Sequence, residues 1–144
     1  MYPPFKDVLY KTLLHFAARY NHLELVQYLA AKQQVDPLCQ TKHGSTPLHL
    51  ACQGGNIDIV RYLMNEMKKY PSLKDMVYIK DHAGWTPLHC AAKCNHLEIV
   101  QYLVSKEQVD PLFQTKRGST PLLLVCISGN IDVVRYVVNE MSRW

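Results

Sequence analysis

The sequence lacks several features that would place it in a membrane or in a secreted, disulfide-rich class. It has no continuous apolar stretch of the ~18 residues that a membrane-spanning helix requires. Its start, Met1 to Asp7, lacks the apolar block of a signal peptide. The five cysteines are odd in number and lack paired zinc-finger spacing, so we expect reduced thiols. Together these absences predict an intracellular protein, cytoplasmic or nuclear.

Recognisable catalytic motifs are missing as well. The chain contains neither the phosphate-binding pattern G-x-x-x-x-G-K-S/T nor the dinucleotide pattern G-x-G-x-x-G, and no G-x-S-x-G nucleophile turn. The net charge of +4 and the 48% hydrophobic content are typical of a folded, mildly basic protein. We therefore predict that the protein is not an enzyme and has no cofactor and no small-molecule substrate.

What the sequence does contain is one short phrase in four copies, of which Thr86-Pro87-Leu88-His89 is a complete example. The copies begin at Thr12, Thr46, Thr86 and Thr120, at intervals of 34, 40 and 34 residues. Intervals of this length predict an array of stacked helical units rather than one closed globule. At least ~3 such units are normally needed to bury a continuous core, and four meet that requirement.

Each unit has the signals of a helix, a tight turn and a second helix. Thr46 is a good N-cap, and Pro47 suits the first helical position, so the first helix should begin at Pro47 and stop near Gly55. The residues at the stop are types that tolerate the left-handed conformation: Asn21, Gly55, Asn95 and Gly129. Amphipathic second helices follow, with apolar residues at helical spacing: Leu23, Val26, Leu29, and Leu97, Val100, Leu103.

Turn signals precede the capping threonines of the second, third and fourth units. In each of them a glycine stands two residues before the threonine. Asp81 and Gly84 occupy the positions that a type I turn favours for these residues. We therefore expect a projecting hairpin, called a finger below, at residues 40–45, 80–85 and 114–119.

The third unit, residues 81–92 with 95–100, resembles the ankyrin repeat family almost throughout. The resemblance covers about residues 7–144 and implies an all-α solenoid of stacked helix-turn-helix units with projecting hairpin fingers. On this basis residues 1–144 form a single domain, with repeats at 7–36, 41–70, 81–110 and 115–144 and an insertion and linker at 71–80. Two units depart from the pattern, the first as a capping variant and the fourth at the motif histidine; the departing residues are Tyr10, Leu13, Leu123 and Val125.

A longer period lies inside the short one. Residues 12–70 align with 86–144 without a gap at an offset of 74, and 39 of the 59 pairs are identical. Pairs of repeats were therefore duplicated together, and we expect the chain to be a fragment of a longer array. The 40-residue interval reflects an insertion around Met64 to Val77, where Pro71 should break the preceding helix. The insertion is either a longer loop or a loop that contacts a partner.

The histidines and cysteines have structural interpretations beside chemical ones. In the family that the chain resembles, residues such as His15, His49 and His89 hold neighbouring loops by hydrogen bonds. Cys90, Cys94 and His96 are the nearest approach to a metal cluster. Cys90, however, occupies the slot of Phe16, Leu50 and Leu124, which predicts a buried apolar role, so we expect no metal site. Cys52 and Cys126 should pack as small residues, whereas Cys94 should be accessible.

The resemblance implies a non-catalytic scaffold that binds a protein partner through finger tips and the concave face of the first helices. The positions carried over to the fingers are Lys42, His43, Lys80, His82, Trp85, Lys116 and Arg117, with Ser45 and Ser119 beside them. Those carried over to the concave face are Arg19, Tyr20, Gln53, Lys93, Cys94, Ile127 and Ser128.

Two finger features could define the partner. Trp85 stands where the parallel units have serine, and it either faces solvent as an anchor or folds against the neighbouring finger. The basic ridge, defined as Lys42, Lys80, Lys116 and Arg117 with His43 and His82 nearby, is either an acidic-partner site or ordinary solvated charge. Binding of nucleic acid or phosphoinositide and a purely architectural spacer remain alternatives; we expect a monomer.

Overall fold

The computed structural model describes residues 4–69 and 76–143. In those two segments the chain forms α-helices arranged in pairs, and no strand is assigned there. A 3-10 turn at Met76–Tyr78 precedes the third unit. Of the predicted insertion and linker, residues 70–75, which include Pro71, lie outside the described segments. The helices are α1 (Pro4–Arg19), α2 (Leu23–Gln27), α3 (Pro47–Gly54), α4 (Ile57–Met67), α5 (Pro87–Lys93), α6 (Leu97–Gln101), α7 (Pro121–Ser128) and α8 (Ile131–Met141).

The helices stack in two rows. The first helices of the units, α1, α3, α5 and α7, pack one against the next, and the second helices, α2, α4, α6 and α8, form a parallel row behind them. Leu14, Leu48 and Leu88, from the same place in the phrase, are fully buried between the rows. The core is therefore continuous from unit to unit, as expected when no single unit can bury its apolar face alone. The predicted all-α solenoid is confirmed.

The first unit differs from the other three because a helix replaces its finger. Helix α1 begins at Pro4 and continues through Thr12, so Thr12 is a helix-interior residue rather than a cap. The Thr12 hydroxyl instead donates to the carbonyl of Val8 at 2.9 Å. Neither glycine nor proline interrupts the sequence between Lys6 and Arg19, which allows the helix to continue.

The predicted turns are confirmed at all four helix stops. Asn21, Gly55, Asn95 and Gly129 have φ values of 70°, 85°, 61° and 76°. The sequence did not reveal how α2 and α6 end, in π-helical turns at Tyr28–Lys32 and Tyr102–Lys106, whereas α4 and α8 run regularly for 11 residues. The irregularity recurs at an interval of 74 residues, so it follows the paired duplication.

The three fingers are hairpins closed by backbone hydrogen bonds. In the second unit Thr41 N–H donates to the Ser45 carbonyl at 2.9 Å, and Gly44 N–H donates to the Thr41 carbonyl at 2.9 Å. The same two bonds recur in the third and fourth fingers. In the third finger the Asp81 carboxylate also accepts from the N–H groups of Ala83 and Trp85, so its charge is turned into the hairpin.

Motif histidines join each unit to the next. His49 Nδ1 accepts from the Thr46 N–H at 3.2 Å, and because a carbonyl can only accept, its Nε2–H donates to the Trp85 carbonyl at 2.8 Å. His15 donates in the same way to the Cys39 carbonyl, and His89 donates to the Phe113 and Ser119 carbonyls. These bonds require the neutral ring. Burial accordingly lowers the pKa values of all three rings below the ordinary 6.5.

These histidines predict that the array loses stability in mild acid. The unfolded chain binds protons at the ordinary histidine pKa and the folded chain does not, so stability present above pH 6.5 is lost as the pH falls towards the lower, folded pKa. The free energy of unfolding, from urea titrations, should therefore decline between about pH 7.5 and about pH 5.5. The H15Q variant should show a shallower decline, and a constant free energy over this range would contradict the prediction.

Two glycines at equivalent places offer a matched test of finger stacking. Gly44 and Gly118, with φ values of 83° and 82°, would suffer similar left-handed strain as alanine, roughly 1–2 kcal/mol. A Cβ at Gly44 would also lie 2.6 Å from His82 Cδ2 and 2.9 Å from the His82 backbone nitrogen, whereas one at Gly118 would meet nothing within 4 Å. Urea denaturation should show G44A losing about 1–3 kcal/mol more than G118A. Equal losses would show that the fingers do not support each other.

Candidate protein-binding surface

Backbone hydrogen bonds align the three fingers into one row. His82 N–H donates to the His43 carbonyl at 2.9 Å, and Lys116 N–H donates to the Ala83 carbonyl at 3.2 Å. The structure therefore brings together finger residues that are far apart in sequence. Their side chains are exposed at Lys42, His43, Lys80, His82, Lys116 and Arg117.

Lys80 and Trp85 are more constrained than the other finger positions. The Lys80 ammonium lies 5.1 Å from the centroid of the Phe113 ring, within the range of a cation–π interaction. Trp85 is half-buried and packs against the core, with its ring centroid 5.9 Å from that of His89. The indole therefore does not project freely from the finger, and it rests on its own unit rather than on a neighbouring finger.

The concave side is built by the first helices and their C-terminal ends. Tyr20, Lys93, Cys94 and Ile127 are exposed there, with Ile127 at 73% the most exposed large apolar side chain of the four units. Gln53 differs from them because it is partly buried between two units. Its amide donates to Cys90 Sγ at 3.9 Å, and its carbonyl accepts from His96 Nε2 at 2.9 Å.

Further contacts hold the concave side together near Gln53. Asn21 Nδ2 donates to the Gly54 carbonyl at 3.2 Å, and Ser128 Oγ donates to the Lys93 carbonyl at 3.3 Å. Each of these bonds joins adjacent units. The backbone beneath the exposed side chains is therefore fixed from the first unit to the fourth.

Two expectations from the sequence are wrong at the ends of the array. Phe16 was assigned to a buried slot but is 57% exposed, and Cys126 was expected to pack but is exposed. The same slots are closed in the middle of the array, where Cys90 and Cys52 are buried. A repeat position is buried by its neighbours, so equivalent residues in an end unit remain open.

The cysteines of the third unit have the surroundings of packing residues. Burial raises the pKa of the Cys90 thiol to about 12, which disfavours the thiolate that binds metal. His96, the third member of the possible cluster, uses Nε2 for the Gln53 carbonyl. Within residues 4–69 and 76–143, no group of three histidine, cysteine or acidic side chains is placed to hold a metal ion. Cys94 is exposed, as expected.

A groove beside α1 is a feature that the sequence interpretation missed. It has a volume of about 630 Å³ and lies between α1 and the finger of the second unit. The α1 groove is lined by Val8, Lys11, Thr12, His15, Phe16, Arg19, Tyr20, Gln40, Thr41, Lys42 and Leu50. The available signal was the i, i+4 series Val8, Thr12, Phe16 and Tyr20, which extends the helical pattern to the N-terminal side of the expected cap.

Comparison with known proteins gives the same architecture. A family profile described as "Ankyrin repeats (3 copies)" matches residues 4–75 and 71–143. The chain is 34% identical over 77 residues to the human transient receptor potential cation channel subfamily A member 1, a match that covers 52% of this chain and 6% of the channel. It is also 33% identical over 65 residues to the mouse liver isoform of mitochondrial glutaminase, covering 45% of this chain and 11% of that protein.

These matches set the scope of what the relatives can show. The chain spans only a small part of each relative, so the likeness concerns the repeat region of this sequence and not the whole channel or the whole enzyme. No helix among the described residues is both long enough and apolar enough to cross a membrane. The profile covers nearly every residue, and the stacked helix pairs and aligned fingers are those it predicts. The chain therefore belongs to the ankyrin repeat family.

Proposed function

We propose that this protein is a non-catalytic scaffold that binds a protein partner through its finger tips and its concave helical face. The observation that carries the proposal is the aligned row of exposed finger residues above a backbone that hydrogen bonds fix from unit to unit. Members of the ankyrin repeat family generally mediate protein–protein interactions. A fixed surface of this kind loses little conformational entropy when a partner binds.

The charge of the fingers favours a partner with an acidic segment. Lys42, Lys116 and Arg117 project into solvent along the row. The Asp81 carboxylate, the acidic group within the third finger, is directed to backbone N–H groups and does not offset them at the tips. Charges so placed would mainly raise the association rate and orient the encounter.

Two other functions are less well supported. Binding of nucleic acid or phosphoinositide through the basic ridge would benefit from a dense cationic surface, but Lys80 is already engaged with Phe113. An architectural spacer would not need exposed apolar side chains on the concave face such as Tyr20 and Ile127. We further propose that the protein acts as a monomer inside the cell, in the cytoplasm or nucleus, and is part of a longer array.

Charge reversal on the fingers tests this surface with a control of equal charge. The test variant carries K116E and R117E, and the control carries K32E and K106E, at exposed positions at the ends of the second helices of the first and third units. A partner captured from cell extract and then purified should bind the test variant about tenfold more weakly, chiefly through slower association. The control should bind like the unaltered chain, with Kd values from surface plasmon resonance.

The outcome that contradicts the proposal is an equal loss in both variants, which would indicate attraction by net charge alone. Unchanged binding in the test variant would place the interface away from the fingers. The same titration at two salt concentrations separates the alternatives, because binding to nucleic acid falls steeply as salt rises.

A further inference from the structure

The α1 groove combines an apolar stripe with positive charge. The stripe runs along one face of α1 at four-residue intervals, through Val8, Thr12, Phe16 and Tyr20. Val8 is 61% exposed and Phe16 and Tyr20 are each 57% exposed. The Thr12 hydroxyl is taken up by the Val8 carbonyl, so no free hydroxyl interrupts the stripe. Leu50 on α3 contributes an apolar side chain from the neighbouring unit.

The aromatic rings of the groove are ordered by their own contacts. Phe16 and Tyr20 stack with a centroid distance of 6.1 Å and an interplanar angle of 14°. The Arg19 guanidinium lies 5.4 Å from the centroid of the Tyr20 ring. An arginine on an aromatic ring keeps its hydrogen-bond donors available at the ring edge, where they can reach a carboxylate. The rings therefore form a preorganised apolar surface bordered by a cation.

The electrostatics of the groove are positive. Three cations line it, Lys11, Arg19 and Lys42, and none of the described residues that line it is acidic. Asp7 lies 3.1 Å from the Lys11 ammonium and offsets that charge in part. His15, at the base of the groove, is neutral because burial lowers its pKa and its Nε2–H is donated to the Cys39 carbonyl. The charge that a ligand would meet is therefore that of Arg19 and Lys42, with a share from Lys11.

The groove is particular to the first two units. At an offset of 74 residues, Phe16 corresponds to the buried Cys90 and Val8 corresponds to His82 in the third finger. Where the third unit has a finger, the first has the N-terminal turns of α1, and those turns form one wall of the groove. The feature therefore arises from the departure of the first unit from the repeat pattern and not from the repeat itself.

We propose that the α1 groove binds a peptide segment of a partner protein in which a bulky apolar side chain stands between acidic residues. The apolar side chain packs on Phe16 and Val8, and the flanking carboxylates pair with Arg19 and Lys42. The volume of about 630 Å³ lies within the range of sites that enclose a small ligand or a few side chains. The proposal rests on the proposed function, since it assumes a protein partner, and it adds where on the surface that partner is anchored and by what chemistry.

The composition of the groove favours a peptide over a single-stranded nucleic acid. Base stacking needs open aromatic faces, but Phe16 and Tyr20 face each other and Arg19 covers part of Tyr20. The remaining apolar lining is aliphatic, from Val8 and Leu50. Aliphatic groups bury apolar side chains well and offer no stacking surface to a base.

The test is a peptide display selection on the full chain, followed by titration of the enriched peptides by fluorescence anisotropy. The groove variant carries V8A and F16A, two largely exposed positions whose truncation should preserve the fold, as circular dichroism melting will show. The finger variant is K116E with R117E, and the control is K32E with K106E. We expect peptides with an apolar anchor between acidic residues, and at least about a tenfold rise in Kd for the groove variant.

Each outcome decides the matter. An acidic peptide that binds the control normally and the groove variant weakly supports the proposal. Enrichment of basic or uncharged peptides, or of none above the background of an unrelated protein, overturns it. Peptides that lose affinity for the finger variant but not for the groove variant overturn the groove proposal and leave the proposed function intact. Displacement of the peptide by oligouridine from the same groove would overturn it in favour of nucleic acid.

Discussion

The structure depends on the hydrogen bonds by which a buried imidazole joins one unit to the next. His49 accepts from its own capping Thr46 and donates to the Trp85 carbonyl of the following finger. One ring thus completes a helix start and positions the next hairpin. Since each unit alone cannot bury its apolar side chains, this bond and the packing around Leu48 make the units a single body.

The same constraint explains why the two ends of the array differ from its middle. In the fourth unit Leu123 replaces the histidine and is 52% exposed, and Cys126 is open to solvent. In the first unit the finger is absent and α1 extends instead. The middle units are determined by their neighbours, whereas the end units are free to present side chains. The α1 groove is the clearest result of that freedom.

Much of the fold could be predicted because its signals are local. The cap at Thr46, the proline after it and the left-handed residue at Gly55 define a helix without reference to any distant contact. The finger turn needs only Asp81 and Gly84 in their favoured places. The candidate surface was predictable to the extent that exposure follows the repeat pattern, as it does for Lys42 and Cys94.

By itself, the sequence determined the family, the four units, their turns and the paired duplication, because each depends on residues close together in the chain or on simple periodicity. Tertiary structure alone decided which equivalent residues are covered. Phe16 and Cys90 share one slot, yet one is exposed and the other is buried, since burial depends on what the adjacent unit places against it. Tertiary structure also withdrew Trp85 from the finger surface and opened the α1 groove, because both follow from contacts between elements that no local pattern encodes.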